Sequence, residues 1–338
     1  MTNDSDLFAD AARQVLADQC TPQVVRAIEA GDSCSAQSLW EQLEAAGLTD
    51  ALVPESEGGS QLGLGQVFGV LEQCGAHALP LLLGETMIAH AALPPSMRPS
   101  GAMALARGQR EADGTVRCAL VRSAKVAEHV LVQADDTMWL LLPIAAAQSS
   151  DHALALDATL VWPAAQVTAA AQLSMESGVD LWTLQACVVA AQMAGALGTV
   201  LACTLQYAND RKQFGRPIGK FQAIQHQLAV MSEHVCAARM AAQLGCSGAG
   251  AVPDRLRVAT AKARCSQAAL VVSEMAHAVH GAIGFTEEFD LQLYTRRLHA
   301  WRQTAGSEAY WHDVAGQALI AQEGGSLDVI RRITDVAI

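Results

Sequence analysis

The chain has 338 residues and a formal net charge of −12, with 22 lysines and arginines against 34 aspartates and glutamates. Apolar residues make up 51% and charged residues 17%, so the chain is a globular protein with room for two or three domains, not a disordered one. The acidic balance argues against a nucleic-acid partner and against anionic membrane surfaces, because both require clustered cations.

Nine cysteines are scattered along the chain, and no two of them form a Cys-x-x-Cys pair. Their odd number and irregular spacing indicate free thiols in a reducing compartment. The N-terminal segment is acidic and lacks the basic-then-apolar pattern of a secretion signal. No apolar run reaches about 18 residues without a polar break, so we expect no membrane span and a cytoplasmic location.

The first region, residues 1–95, is predicted to form helices joined by short loops. Three glycines at Gly63, Gly65 and Gly69 do not make a dinucleotide-binding fingerprint, because their spacing is wrong and no strand precedes them. The predicted helices cover residues 4–18, 21–30, 39–46, 65–74 and 84–93.

The second region, residues 96–170, begins after a proline-rich linker and changes character. Short runs of apolar and β-branched residues alternate with glycine and polar turns, which predicts strands. A small β domain of about 70 residues follows from this pattern. The predicted strands cover residues 102–106, 116–121, 130–133, 138–142 and 159–162.

The third region, residues 175–338, is predicted to be helical again, and helices of such length pack side by side as a bundle. The predicted fold is therefore mainly α with a small β domain in the middle. The predicted helices cover residues 180–209, 221–244, 253–281 and 307–322, with a short one near 327–335.

The helical pattern breaks over residues 210–217, where Gly215 and Pro217 mark a turn between two long helices. Three cations in this segment surround Phe214. An arginine can place two parallel hydrogen bonds on a phosphate group, which a lysine cannot. The residues alone leave two interpretations open, an anion-binding corner and a solvated basic turn.

Residues 211–225 read Arg-x-x-Phe-Gly-x-Pro-Ile-x-x-Phe-Gln-x-x-Gln, and this resembles the C-terminal signature of the acyl-CoA dehydrogenase family. Residues 39–48, read as Leu-Trp-x-x-Leu-x-x-x-Gly-Leu before Pro-Glu-x-x-Gly-Gly, resemble the N-terminal helical domain of the same family. The resemblance implies FAD as cofactor and three domains. These are an N-terminal helical domain (1–95), a shortened β-barrel-like middle domain (96–170) and a C-terminal four-helix bundle (175–338).

In that family the signature arginine and phenylalanine hold the pyrophosphate and adenosine end of an FAD that belongs to a neighbouring subunit. Ala278 stands where many members have a glutamine, which puts one adenine contact in question. His277 and His280 are three apart on a predicted helix, but no third ligand is near, so no metal site is predicted. The FAD contacts that the resemblance implies are Arg211, Gln213, Phe214, Gln222, His280, Gly281, Gly284, Gly306 and Ser307.

Members of the family remove a substrate proton with a glutamate in one of two positions. The resemblance places Ala305 and Gln185 at these positions, and neither side chain can take a proton. Glu308 is the nearest carboxylate, either as a displaced base or as a charge at a helix N-terminus. The middle domain also lacks the family's Thr-Glu-Pro-x-x-Gly-Ser-Asp loop beside the flavin ring, because the aligned residues 103–110 read Met-Ala-Leu-Ala-Arg-Gly-Gln-Arg.

This combination resembles the short, base-lacking subunit of heteromeric α2β2 acyl-CoA dehydrogenases that degrade steroid side chains. It implies a heterotetramer with a second, complete subunit, a bulky or steroid-like acyl-CoA substrate and a separate electron-transfer partner. Alternatives from other classes stay open. They are a self-sufficient homo-oligomer that uses Glu308, a non-catalytic scaffold of the same fold, and a relative of the flavin monooxygenases.

Overall fold

A computed structural model describes residues 4–152, 154–174, 179–248, 250–321 and 325–335. Helices occupy both ends of the chain and two small β-sheets lie between them, as the sequence predicts. The predicted helix end at residue 322 lies outside the described residues.

The N-terminal region contains five helices, one of which begins earlier than predicted. The third helix starts at Ser33 instead of residue 39 because Asp32 caps it, accepting hydrogen bonds from the backbone amides of Cys34 (3.0 Å) and Ser35 (3.2 Å). The helices are α1 (Asp4–Gln19), α2 (Pro22–Glu29), α3 (Ser33–Ala45), α4 (Leu64–Ala76) and α5 (Leu83–Ala92).

The middle region contains two four-stranded sheets, with strand orders β1-β4-β5-β8 and β2-β3-β7-β6. The β1–β4 pair is parallel, and the other pairs in both sheets are antiparallel. The strands are β1 (Met103–Arg107), β2 (Gln109–Arg110), β3 (Val116–Val121), β4 (His129–Gln133), β5 (Met138–Pro143), β6 (Gln148–Asp151), β7 (Ala158–Trp162) and β8 (Ala171–Ser174), with a short helix α6 (Ala164–Ala169) before β8.

Strands β2, β6 and β8 are too short or too polar for the alternating pattern to reveal them. Because β8 pairs with β5, the first sheet extends past residue 170, the predicted end of this region. The inner faces of the two sheets share one apolar core, in which Val116 and Trp162 of one sheet meet Val130 and Leu142 of the other.

The C-terminal region contains six helices and a two-stranded hairpin. Helix α10 is absent from the predicted helices because buried polar residues, Thr295 and Arg297, interrupt its apolar stripe. The elements are α7 (Leu181–Asp210), β9 (Lys212–Gln213), β10 (Arg216–Pro217), α8 (Gln222–Gly245), α9 (Arg255–His280), α10 (Leu291–Gln303), α11 (Glu308–Ala321) and α12 (Ser326–Thr334).

Two helical segments, Leu181–Asp210 and Arg255–Phe285, are long and apolar enough to cross a membrane by length and composition alone. In α7, 72% of the most apolar window is buried within the protein, and α9 packs against α7, α8 and α11. Core packing therefore accounts for the composition of α7, and the absence of a membrane span stays a prediction.

Helices α4 and α7 cross at close range where both carry glycine. A Cβ atom on Gly195 would lie 1.9 Å from the carbonyl oxygen of Glu72, so Gly195→Ala forces the two backbones apart. We expect this substitution to lower the free energy of unfolding by about 2–3 kcal/mol in urea titrations. Gly198, one turn later, has no atom within 4 Å of such a Cβ. Gly198→Ala should therefore raise stability by about 0.5–1 kcal/mol, and equal effects of the two substitutions would contradict the crossing geometry.

Candidate functional site

Helix α7 carries predicted site residues at both of its ends. Gln185 lies near its start and Arg211 caps its end, so the two are about 39 Å apart at 1.5 Å per residue. The other predicted residues divide accordingly. Ala305, Gly306 and Ser307 belong to a loop on the same side as Gln185. The remaining predicted FAD contacts lie in the segments at the opposite end of the bundle; they are Arg211, Gln213, Phe214, Gln222, His280, Gly281 and Gly284.

Gln185 and Ala305 of the first group line a cavity of about 360 Å³, here called the inner cavity, between the β-sheets, the start of α7 and residues 303–305. Its lining includes Arg107, Arg117 and Arg122, and the guanidinium of Arg107 lies 5.5 Å from the centre of the Trp182 ring. No aspartate or glutamate is among the described residues that line it. Because Arg122 is paired with Glu85, the positive charge of the inner cavity comes from Arg107 and Arg117, and Trp182 supplies an aromatic wall.

Gln185 and Ala305, the two residues that the sequence resemblance aligns with base positions, both border this one cavity. Gln185 is buried, and its amide nitrogen donates a hydrogen bond to the carbonyl of Leu105 (3.1 Å). Ala305 is buried in the left-handed region at φ +53°, and its carbonyl accepts a hydrogen bond from the Trp311 indole (2.8 Å). The loop is thus held in place, but neither position offers a group that can accept a proton.

Glu308 is not among the residues that line the inner cavity. It begins α11 and forms an ion pair with Arg302. Burial raises the pKa of this carboxyl, but its own backbone amide, the hydrogen bond and charge of Arg302 and the charge of Lys262 lower it more, so the pKa is below its usual value. A base that removes a carbon-bound proton needs a raised pKa. The environment of Glu308 suits an ion pair at a helix N-terminus.

A buried lysine on α9, Lys262, holds the loop 303–307 in place. The ammonium of Lys262 donates hydrogen bonds to the carbonyls of Gly306 (2.9 Å) and Arg302 (3.0 Å) and to the hydroxyl of Ser266 (3.2 Å). Gly306 stands at φ +98°, a conformation that favours glycine. The two carbonyls lie at and just beyond the C-terminus of α10, where a cation interacts favourably with the helix.

Burial lowers the pKa of Lys262 from 10.5 to about 7, so protein stability should depend on pH. Between about pH 7 and 10 the unfolded chain binds a proton at this residue that the folded chain does not, and stability therefore rises with pH. Below pH 7 both states are protonated and this slope disappears. We expect the unfolding free energy of the wild type relative to Lys262→Met to increase from pH 7 to 8.5. A constant difference would contradict the burial of a titrating lysine.

The second group is centred on a hairpin, β9–β10, here called the arginine corner (residues 211–222). Phe214 and Gly215 form its tip at φ +52° and +77°, and the Phe214 side chain is 92% exposed. A left-handed phenylalanine costs about 1–2 kcal/mol, and such strain at an exposed aromatic residue indicates a binding surface. Arg211 is exposed, and within the described part of the chain no carboxylate lies within ion-pair distance of it.

The end of α9 lies beside the arginine corner. Tyr207, one turn before Arg211, stacks on His280 at 4.4 Å between ring centres, and its hydroxyl donates to the His280 carbonyl (3.3 Å). Gly281, at φ +65°, ends the helix. An open cleft of about 610 Å³, here called the α9 cavity, borders this segment. Its lining residues are Leu270, Ser273, Glu274, His277, Ala278, Phe285 and His299.

The two groups fit different parts of FAD. Among the described residues the Arg211 guanidinium has no carboxylate partner and could hold a pyrophosphate. The arginine corner and the α9 cavity also have exposed aromatic rings and polar atoms without a described partner, which suit an adenosine. The inner cavity offers an indole and guanidinium groups but no proton acceptor. Among the described residues, no group of three or more histidines, cysteines, aspartates or glutamates is arranged to hold a metal ion.

Sequence reasoning missed the arginines and Trp182 of the inner cavity. Arg107 and Arg117 come from different sheets, so no local pattern reveals that they meet. The sequence does contain one indication of Arg122. Its partner Glu85 is a carboxylate within the apolar helix α5. A charged residue at such a position requires a buried counter-ion.

Two regions of the chain match acyl-CoA dehydrogenase domains. Residues 2–94 match the acyl-CoA dehydrogenase N-terminal domain, and residues 183–320 match the acyl-CoA dehydrogenase C-terminal domain. Among curated proteins, the chain is 28% identical over 310 residues to acyl-CoA dehydrogenase IpdE2 of Mycolicibacterium smegmatis. This alignment covers 90% of the chain and 96% of the relative.

Solved structures share the fold over nearly the whole chain. The ChsE4–ChsE5 complex from Mycobacterium tuberculosis has a chain with a TM-score of 0.83 at 22% identity, with coverage of 96% of this chain and 99% of that chain. A variant of the Tcur3481–Tcur3483 steroid ACAD has a TM-score of 0.78 at 24% identity, and the alignment covers 94% of this chain and 98% of that chain. The FAD complex of PigA has a TM-score of 0.74 at 16% identity, and the alignment again covers 94% of this chain and 98% of that chain.

Proposed function

The chain belongs to the acyl-CoA dehydrogenase family, whose cofactor is FAD, and from this membership we propose that it is one of two unlike subunits of a heteromeric acyl-CoA dehydrogenase. In this arrangement its arginine corner holds the adenosine diphosphate end of an FAD whose flavin ring lies in the partner subunit. The partner provides the catalytic base. The family membership supports a flavin-dependent oxidoreductase. The proposal is that one chain holds the adenosine diphosphate end of FAD and the other holds the flavin ring and the base.

One observation carries the proposal, namely that the FAD-binding features of this chain are separated by the length of α7. The distance from Gln185 to Arg211, about 39 Å, is longer than an extended FAD molecule. A cofactor held by the arginine corner therefore does not reach the inner cavity of this chain, which supports a flavin ring bound by another chain. The two residues that the resemblance aligns with base positions, Gln185 and Ala305, present an amide and a methyl group to the inner cavity, which supports a base in the partner.

The similar structures support an assembly of unlike subunits. Two of them are solved complexes of pairs, ChsE4–ChsE5 and Tcur3481–Tcur3483, and the second is described as a steroid ACAD. A two-fold interface between unlike chains then contains one complete site and one incomplete site. By the same reasoning we propose a bulky, steroid-like acyl-CoA as substrate of the complex.

In such a complex FAD would supply a hydride acceptor for the desaturation of the acyl-CoA, and the partner would hold the base for the α-proton. This chain's residues do not touch the reacting carbons. Arg211 neutralises the charge of the pyrophosphate, and Phe214 covers the neighbouring part of the cofactor. The electrons leave through a separate electron-transfer partner.

The flavin spectrum of the purified chain, alone and after co-expression with the product of the neighbouring gene, tests the proposal. We expect a colourless chain after soaking with FAD, and a yellow complex that contains one FAD per pair of unlike subunits. That complex should oxidise steroid side-chain CoA thioesters faster than straight-chain ones.

Other outcomes would select the alternatives. One FAD per chain and turnover without a partner would identify a self-sufficient enzyme and overturn the proposal. A colourless protein in both preparations would identify a scaffold, and consumption of oxygen by reduced flavin would identify a monooxygenase.

A further inference from the structure

The inner cavity carries its positive charge at its mouth. Arg107 and Arg117 both line the cavity and are both exposed. Within the described part of the chain, neither guanidinium lies within ion-pair distance of a carboxylate. The chain has 34 acidic against 22 basic side chains, yet no acidic side chain in the described ranges neutralises this pair. A cleft lined by one sign of charge concentrates counter-ions, so the two cations point to an anionic ligand.

The two sheets position these cations. Arg107 ends β1 and Arg117 lies in β3, so each sheet contributes one of them. The neighbours of Arg117 in β3, Val116 and Cys118, belong to the apolar core, and the alternation of a strand therefore turns Arg117 away from the core. The Arg107 guanidinium lies 5.5 Å from the centre of the Trp182 ring. Because a guanidinium can place two parallel hydrogen bonds on a carboxylate, the pair suits a carboxylate at the mouth of the cavity.

The deeper part of the cavity is uncharged. Ala106, Gln185 and Ala305 are buried there, and the Gln185 amide nitrogen already donates to the carbonyl of Leu105. Trp182 is half-buried and forms one wall, and the face of an indole suits a flat or apolar ring. The volume of about 360 Å³ is within the range of small-molecule sites, about 300–1,000 Å³. The cavity therefore accepts a ligand with an apolar ring inside and a negative charge at the mouth.

We infer that the inner cavity binds a free carboxylate attached to a ring system, with the carboxylate held by Arg107 and Arg117 and the ring against Trp182. Such a ligand differs from an acyl-CoA, because the carbonyl of a thioester is uncharged. Gln185 and Ala305 offer no group that takes a proton, so the ligand is bound and not transformed. The inference goes beyond the proposed function, since it concerns the cavity that a cofactor on the arginine corner does not reach.

Calorimetric titration of the co-expressed complex with 2-naphthoate tests the inference, and 2-naphthamide is the matched ligand that keeps the ring and loses the charge. We expect 2-naphthoate to bind to each copy of this chain, and 2-naphthamide to bind at least about tenfold more weakly. Arg107→Gln and Arg117→Gln should each weaken 2-naphthoate binding about tenfold, which corresponds to the loss of a charge-assisted hydrogen bond. Trp182→Leu should weaken it about threefold or more. Arg110→Gln, at an exposed arginine on β2 that is not among the lining residues, is the control and should change nothing.

Three results would overturn the inference. Unchanged affinity in both arginine variants would show that 2-naphthoate binds elsewhere, for example in the partner. Equal affinity for 2-naphthoate and 2-naphthamide would show that no carboxylate is recognised, and this comparison on the unaltered protein stays decisive where a variant does not fold. Inorganic phosphate that binds as tightly as 2-naphthoate would show an anion site without a place for a ring. The titrations use the full chain alone if no complex forms, and flavin content does not enter them, so their outcome is separate from that of the proposed function.

Discussion

Replacement of Arg211 by alanine is expected to weaken FAD binding by the heteromeric complex about 30- to 1000-fold. A guanidinium can place two charge-assisted hydrogen bonds on a pyrophosphate, and together these are worth about 2–4 kcal/mol. In the described part of this chain no carboxylate pairs with the Arg211 side chain, so its loss should leave the fold intact. The dissociation constant of FAD and the unfolding midpoint of the complex are the two measurements.

Two control substitutions define the origin of this effect. Arg211→Lys keeps the charge but loses the two-pronged geometry, so we expect an intermediate loss of affinity. Lys220→Ala removes an exposed cation from the same corner and should have a small effect that disappears at high salt. Equal losses from Lys220→Ala and Arg211→Ala would show that only the general positive charge of the corner matters.

The second large effect is expected from Glu85, which is fully buried. Its carboxylate accepts a hydrogen bond from Arg122 (2.7 Å), and the Arg122 guanidinium lies 4.8 Å from the centre of the Trp301 ring. This pair joins α5, the end of β3 and α10. Glu85→Ala leaves a buried cation without its partner, and we expect the free energy of unfolding to fall by about 3–5 kcal/mol.

A paired substitution checks the reason for that loss. Glu85→Ala together with Arg122→Met removes both charges, and it should recover a large part of the stability, because the cost comes from the unpaired cation. Urea unfolding of the two single variants and the double variant measures this coupling. A loss below about 1 kcal/mol for Glu85→Ala would show that the pair is not buried as the structure describes.

Elements with a strong local pattern could be predicted from the sequence. Helix α7 was predicted at 180–209 and runs from Leu181 to Asp210, because it is apolar, free of proline and ended by a turn. The same logic failed for α10, since this buried helix carries Arg297, whose charge is paired with Glu29 from α2. A helix whose polar residues are satisfied by a distant region does not show an apolar stripe.

The candidate site was predictable where it lies in one continuous segment. The arginine corner is such a segment, and the sequence alone marks its turn and its cations. The α9 cavity is not, because its lining combines α9 and the turn that follows it with His299 from α10. The Ser273 hydroxyl and Nδ1 of His277 have no hydrogen-bond partner among the described residues. Whether a buried polar atom has a partner depends on every neighbouring element, so the sequence alone does not reveal it.

Photolabelling of the co-expressed complex with 8-azidoadenine FAD tests most directly whether this chain holds a cofactor whose ring another chain binds. We expect the label to attach to this chain within residues 211–222 or 270–285, and the complex to contain one flavin per pair of unlike subunits. Label found only on the partner would contradict the account, as would one flavin bound to each copy of this chain without a partner.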